Sequence, residues 1–484
     1  MQQIYRFLTA FGLSFLLAAA SGSAALAQSA APPAAPPAAV TPASPAPLDP
    51  AALAGKIDEY MQAQARVNGF TGSILLAREG QPLVSKGYGF ANIEWQIPNT
   101  PQTKFRIGSV TKQFTSMSVM QLREQGKLKL EDFVCVYVSP CPDAWKPVTI
   151  HHLLTHTSGI PTFTGLPEWR KVNMVPKTVD EMIDFFRELP LQWVPGEKYA
   201  YNNSGYFLLG AVIEKAAGKK YEQVLREQIF TPLDMVDSGY DWSATIIPRR
   251  ASGYSGRPPA VSNAAALDMQ QPYSAGSLYS TTGDLLKWDQ ALYTDRLLPA
   301  AARQTMWTPF RDNYAYGWTI VPPATATFGH RRVEHGGGIN GFSAMIVRLP
   351  ETNVTSIVLA NTDALPGAGA AAVARDLLAI YYGQSYTLPA PRIVAKVDPA
   401  IYDQYVGKYE LSPTSIMTVT REGNSLMAQP TGQPKIEVFP ESETKFFPQV
   451  RIEATITFEK DASGKVVALM LTHGGRNQRA KKIE

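Results

Sequence analysis

Two pairs of apolar runs, separated by some 250 residues of sequence, set the strongest condition on what this chain can fold into. The first pair lies in Gly72-Ser-Ile-Leu-Leu-Ala-Arg-Glu-Gly-Gln-Pro-Leu-Val-Ser-Lys-Gly-Tyr-Gly89, on either side of a Glu79-Gly80 turn, which is the pattern of a β-hairpin. The second is Phe342–Leu349 and Thr355–Ala360, parted by the turn residues Pro350 to Asn353. Between the pairs a largely helical region begins at Ser109, and helical sequence runs on to Tyr382-Gly383. Strands drawn from both ends with helices between them predict an α+β fold, an antiparallel sheet flanked by helices plus an all-helical lobe. A hydrophobic content of 45% supplies enough apolar surface for such a core.

What flanks this region differs in kind. Residues 1–27 have the form of a secretory signal: Arg6, an apolar run from Phe7 to Ala20, then the small-x-small site Ala25-Leu26-Ala27. Residues 28–48 are an Ala/Pro-rich linker that cannot bury a core. Asp49-Pro50 predicts a helix start, with Ala52, Ile57, Tyr60 and Met61 turned to one side. The expected main domain spans 49–383 and a second linker 384–398. Beyond it, 399–484 carries short alternating runs at Ser415–Thr420, Ser425–Ala428, Ile452–Phe458 and Val466–Leu471, which predict a small all-β barrel or sandwich. The expected location is secreted and periplasmic, with no transmembrane anchor. Cys135 and Cys141 are the only cysteines, and in an oxidising compartment their default is a disulfide, with two buried free thiols as the alternative. A formal net charge of +4 over 484 residues gives no case for nucleic-acid binding.

The chemistry points to Phe105-Arg-Ile-Gly-Ser-Val-Thr-Lys-Gln-Phe-Thr115. Ser109 and Lys112, three residues apart on a helix, share one face. A serine hydroxyl needs a base, and a desolvated lysine can serve as one. Ser442-Glu-Thr-Lys445 repeats the spacing among short β runs, where no helix presents it. Two further segments follow in order. Pro195-Gly-Glu-Lys-Tyr-Ala-Tyr-Asn-Asn-Ser-Gly-Tyr206 is a turn entering an apolar helix, and Val333-Glu-His-Gly-Gly-Gly-Ile-Asn-Gly-Phe342 leads into a strand.

Taken together these segments resemble the serine β-lactamase and penicillin-binding-protein superfamily, in the branch of class C β-lactamases, D-specific peptidases and esterases. Its motifs Ser-x-x-Lys, Tyr-x-Asn and Lys/His-x-Gly fall on Ser109 and Lys112, Tyr201 and Asn203, His335 and Gly337. Leu153-Leu-Thr-His-Thr-Ser-Gly-Ile-Pro161 and Gly276-Ser-Leu-Tyr-Ser-Thr-Thr-Gly-Asp284 share the family wording, and the likeness covers roughly residues 50–383. The tail from Tyr405-Val-Gly-Lys-Tyr409 resembles a lipocalin-like β domain. The resemblance implies Ser109 as nucleophile and Lys112 with Tyr201 as proton carriers, either of them the general base; a base role for Tyr201 requires the Lys112 charge to lower its phenol. It implies Asn203, His335 and Gly337 as substrate-binding groups and the Ser109 and Gly338 N–H groups as an oxyanion hole.

The third motif departs from class C β-lactamases, which carry Lys then Thr where this chain has His335 and Gly336. Grip on a terminal carboxylate is expected to be weaker. That favours an ester, amide or D-amino-acid peptide as substrate over a β-lactam. A β-lactamase proper, and a non-catalytic envelope protein, are the alternatives. His151, His152 and His156 cluster without the Glu that a zinc helix would need, so no metal and no cofactor is expected.

Overall fold

The computed structural model describes residues 49–257, 260–323, 328–363, 369–448, 454–473 and 476–484. The expected signal and first linker, 1–48, lie outside them. The first helix, α1 (Pro50–Ala63), starts as expected, with Asp49 accepting from the Ala52 N–H and Pro50 in the first turn. Its buried side is Leu53, Ile57, Tyr60 and Met61. Leu53, not Ala52, completes the face because it is four residues before Ile57 and one turn below it.

The two distant apolar pairs meet in one antiparallel sheet. Its strands are β1 (Gly72–Arg78), β2 (Gln81–Tyr88), β3 (Thr319–Val321), β4 (Arg332–Ile339), β5 (Phe342–Leu349) and β6 (Val354–Ala360), in the spatial order β3-β4-β5-β6-β1-β2. The join is β1 against β6, with Gly72 opposite Ala360 and Arg78 opposite Val354. Both faces of the sheet are covered, so the central strands are apolar at successive positions instead of alternating. Ile74, Leu76, Val358 and Val347 face α1 and a helix at Ala370–Tyr381. Leu75, Ala344, Ile346 and Leu359 face the helical lobe.

Within that lobe α2 (Thr111–Glu124) is buried on every side from Thr111 to Leu122, polar residues included. It packs against α3 (Asn203–Ala217) and the turn Tyr273–Ala275. A buried ion pair ties the lobe to the sheet. Arg348 on β5 donates to Asp289 of the helix Thr282–Ala291, both side chains are 0% exposed, and the guanidinium lies over the Tyr293, Trp307 and Trp318 rings. Cys135 and Cys141 are joined in a disulfide.

Residues 384–398 carry no helix or strand. After them eight strands close into an antiparallel barrel in chain order: β7 (Gly407–Ser412), β8 (Ser415–Glu422), β9 (Ser425–Pro430), β10 (Ile436–Pro440), β11 (Lys445–Pro448), β12 (Ala454–Lys460), β13 (Val466–His473) and β14 (Arg476–Lys482). Four of these were legible as alternating runs, although Ile452 and Glu453 lie outside the described residues. Tyr405, Phe446 and Phe458 fill the barrel interior, with Tyr405 stacked on Phe458 at 4.2 Å. Ser442 and Lys445 sit at a turn and a strand start, away from any helix. Among the described residues no helix is long and apolar enough to cross a membrane.

Removing one member of a buried ion pair leaves the other charge uncompensated. Asp289→Ala is expected to lower the unfolding free energy by about 3–5 kcal/mol, read as an earlier urea midpoint.

Candidate active site

Ser109 lies in the tight turn Gly108–Val110 that runs directly into α2. One helical turn on, Lys112 is 0% exposed. Its Nζ stands 3.0 Å from Ser109 Oγ, 2.9 Å from Asn203 Oδ1 and 2.9 Å from the Ala275 carbonyl oxygen. Burial holds the lysine well below its ordinary range, which favours the neutral amine. A neutral amine has two N–H bonds and one lone pair. The oxygens of Asn203 and Ala275 only accept, so they take both N–H bonds. The lone pair is then left facing the Ser109 hydroxyl.

The orientation of Asn203 is itself fixed. Its Nδ2 donates to Thr164 Oγ1 at 3.2 Å, which turns Oδ1 towards Lys112. Asn203 is the first residue of α3, and the helix is capped instead by Asn202, whose side chain accepts from the Gly205 N–H at 2.8 Å. The Ala275 carbonyl is held because Thr115 of α2 donates to the neighbouring Ser274 carbonyl at 2.7 Å.

Tyr201 shares a hydrogen bond with Ser109, and its ring centroid is 4.8 Å from Lys112 Nζ. Although 39% of the residue is exposed, its hydroxyl end is desolvated, which pushes the phenol well above its ordinary range. The lowering that a base role for Tyr201 requires is thus not what its surroundings produce. Desolvation acts on both groups and favours the neutral form of each.

The third motif contributes backbone. Gly337 on β4 approaches the serine turn so closely that a Cβ there would lie 1.9 Å from the Ile107 carbonyl oxygen and 2.9 Å from the Ser109 nitrogen. Gly108, at φ 50°, faces Gly338 in the same way. The Ser109 and Gly338 main chains thus sit side by side at the cleft. His335 is 5% exposed and both ring nitrogens are occupied. Nδ1–H donates to the Gly336 carbonyl at 2.6 Å, so Nε2 accepts from the Tyr314 hydroxyl at 3.0 Å. Burial pushes the imidazole down to about 3, with the nearby Lys112 adding to the shift. His335 thus offers no free N–H to a substrate.

A cleft of about 140 Å³ opens on Ser109, Asn203 and Gly338, walled by Phe163, Trp169, Leu267, Pro272 and Ile339. None of the described residues lining it is charged. The three histidines of the 151–156 segment are engaged separately. His151 pairs with the Tyr316 hydroxyl, while His152 accepts from the Thr149 N–H and His156 from the Asn202 N–H. Sequence reasoning missed Thr164, Tyr314 and the Ala275 carbonyl. The first two carry no motif, and a main-chain oxygen has no side-chain identity to read.

This arrangement defines a serine hydrolase that works by acyl transfer, and residues 53–380 match the family described as Beta-lactamase. The chain belongs to that family, among the penicillin-binding-protein-like serine hydrolases. It is 30% identical over 421 residues to Penicillin-binding protein 4* of Bacillus subtilis (strain 168), covering 81% of this chain and 91% of that protein. The octameric penicillin-binding protein homologue from Pyrococcus abyssi is similar in structure, with a TM-score of 0.61 at 27% identity over 88% of this chain and 99% of that one. The D-amino acid amidase from Ochrobactrum anthropi SV3, complexed with L-phenylalanine amide, gives 0.58 at 25% identity over 69% and 97%. Residues 391–482 match a domain of unknown function, DUF3471.

A side chain at Gly337 must push β4 off the serine turn, whereas a Cβ at Gly336 meets nothing nearer than Met345 Sδ at 3.4 Å. Gly337→Ala is expected to lower kcat/KM about 100-fold, in line with a displacement of about 1 Å at a reacting centre. Gly336→Ala should stay close to the parent enzyme in the same ester-hydrolysis assay.

Proposed function

We propose that the protein hydrolyses small esters or amides without a terminal carboxylate, including those of D-amino acids, through a covalent acyl-enzyme on Ser109. The observation that carries this reading is the placing of Lys112 Nζ 3.0 Å from Ser109 Oγ, with the Asn203 and Ala275 oxygens 2.9 Å away to take its N–H bonds. Lys112 accepts the serine proton as Oγ bonds to the substrate carbonyl carbon. The resulting ammonium is satisfied at once, because its third N–H faces Ser109 Oγ. The oxyanion lies against the Ser109 and Gly338 N–H groups. Losing one such donor costs about a hundred- to a thousand-fold in rate. As the bond to the leaving group breaks, that group takes a proton from the neutral Tyr201 phenol, and Lys112 restores the phenol. Water then repeats the sequence on the acyl carbon. Asn203 orients Lys112 and the substrate amide.

Substrate class follows from the cleft wall. It holds no cation for a terminal carboxylate, and both nitrogens of His335 are engaged within the protein. Acyl and leaving groups without a free carboxylate suit such a wall, and one structural neighbour is a D-amino acid amidase. We also propose that the chain is exported to the periplasm, on the strength of the signal-like residues 1–27 and the disulfide. The C-terminal barrel we read as a lipocalin-like module whose filled interior leaves its outer surface to act.

Reaction with a fluorophosphonate should add one adduct to the parent enzyme and none to Ser109→Ala. Equal labelling of both would sink the proposal. The pH profile has a definite sign. Only the unprotonated Lys112 is competent, so kcat/KM rises with pH through the free enzyme's lysine pKa, which burial places well below 10.5. A limb centred at the ordinary lysine value would refute the base assignment. N-terminal sequencing of protein recovered from the periplasm should start at Gln28.

A further inference from the structure

His156 takes no part in the steps above, yet it is 1% exposed directly against the second motif. Residues 194–202 have no helix or strand to hold them, so Tyr201 depends on tertiary contacts for its place. His156 supplies three. Its carbonyl accepts from the Ala200 N–H at 3.0 Å, and its Nδ1 accepts from the Asn202 N–H at 3.1 Å. These two bonds fix the main chain on both sides of Tyr201. Its ring packs 4.4 Å from the Tyr201 ring, and on its other contacts 4.9 Å from Tyr206 and 4.5 Å from Tyr314. Tyr314 is the same residue that donates to His335.

Because Nδ1 accepts, the neutral ring carries its proton on Nε2. Burial keeps His156 uncharged, so it does not compete with Lys112 for the serine proton. A cation here would also repel the Lys112 ammonium formed during acylation. What remains for His156 is geometry. The residue adopts φ 57°, a left-handed conformation that among side-chain-bearing residues Asn, Asp and His tolerate best.

We infer that His156 is a positioning residue for the reaction, holding Tyr201 and the entry to Asn203 through two main-chain hydrogen bonds and one ring face. The inference rests on the acyl-enzyme reading of Ser109, Lys112 and Tyr201. It separates hydrogen-bond acceptance at Nδ1 from mere filling of space, and the two make opposite predictions. His156→Phe fills the aromatic stack but leaves the Asn202 N–H buried and unpaired. His156→Asn shrinks the side chain but sets Oδ1 near the Nδ1 position and keeps a residue type suited to the backbone.

The test uses the full chain with p-nitrophenyl acetate, with active Ser109 counted by fluorophosphonate so that kcat refers to competent enzyme. His156→Phe is expected to lose about 100-fold in kcat with KM changed less than about threefold. His156→Asn is expected to stay within about tenfold of the parent kcat. A parent-like kcat in His156→Phe, or a kcat in His156→Asn no better than in His156→Phe, overturns the inference. If His156→Phe does not fold, His156→Gln takes its place, since its amide falls near Nε2 and misses Asn202. A kcat at least about tenfold below that of His156→Asn supports the assignment, and equal values overturn it. If the parent enzyme itself takes no label on Ser109, the acyl-enzyme reading has failed, a result distinct from labelled variants with unchanged kcat.

Discussion

A lysine side chain removed from water governs this structure. Lys112 is wholly buried in a helix that is itself buried, and the ion pairs among the described residues give it no carboxylate partner. An isolated ammonium there would cost several kcal/mol after relaxation. The neutral amine is therefore favoured, and three oxygens arranged around Nζ suit both of its states. Those oxygens come from the turn Gly108–Val110 ahead of α2, from α3 and from the turn Tyr273–Ala275. Bringing them to one point requires the helical lobe to be complete. The lobe in turn packs on a sheet that closes only when β1, near the start, pairs with β6 some 280 residues later.

Neutrality extends outward from that amine. His335 and His156 are both held uncharged by burial. Elsewhere among the described residues, most buried charges have an opposite partner. Arg348 meets Asp289, Arg332 meets Glu334 and Arg106 meets Asp241. The contrast separates structural from chemical use of ionisable groups. Paired charges fix the lobe against the sheet and give nothing to a substrate. The unpaired amine is expensive to bury, and burial is what turns it into a base.

The sequence disclosed those parts of the molecule in which side-chain identity carries the information. Ser109, Lys112, Tyr201 and Asn203 were legible from spacing and resemblance, and the structure brings them together. The hairpin at Glu79-Gly80 and the strands Phe342–Leu349 and Thr355–Ala360 were legible because runs of apolar residues between turn residues mark strands. Half of the barrel was not. Ile436–Pro440 and Lys445–Pro448 are too short and too rich in Pro and Lys to show alternation, and Arg476–Lys482 reads as a charged tail. The helix α2 looked amphipathic from Val110, Phe114, Met117 and Met120, but its polar side is buried as well. No local pattern signals that a second layer will cover Lys112, Gln113 and Ser116. The direction of the Tyr201 shift was not legible for the same reason: it depends on how much water the fold excludes.

What the strand beside the serine contributes follows from its three glycines. A motif that elsewhere in this family presents a charged side chain and a hydroxyl here presents peptide groups. His335 is consumed by Tyr314 and the Gly336 carbonyl, Gly336 has no side chain, and Gly337 is held without one by its contact with Ile107. A substrate at this edge thus meets main-chain N–H groups, which recognise a carbonyl whatever it is attached to. The rest of the cleft is aromatic and aliphatic. Walls of that kind discriminate weakly, since a methylene more or less is worth only about 1–3 kcal/mol. Under the proposed acyl-enzyme reading, weak selection among acyl groups is the expected consequence, with rate set by how well the carbonyl carbon is placed over Ser109.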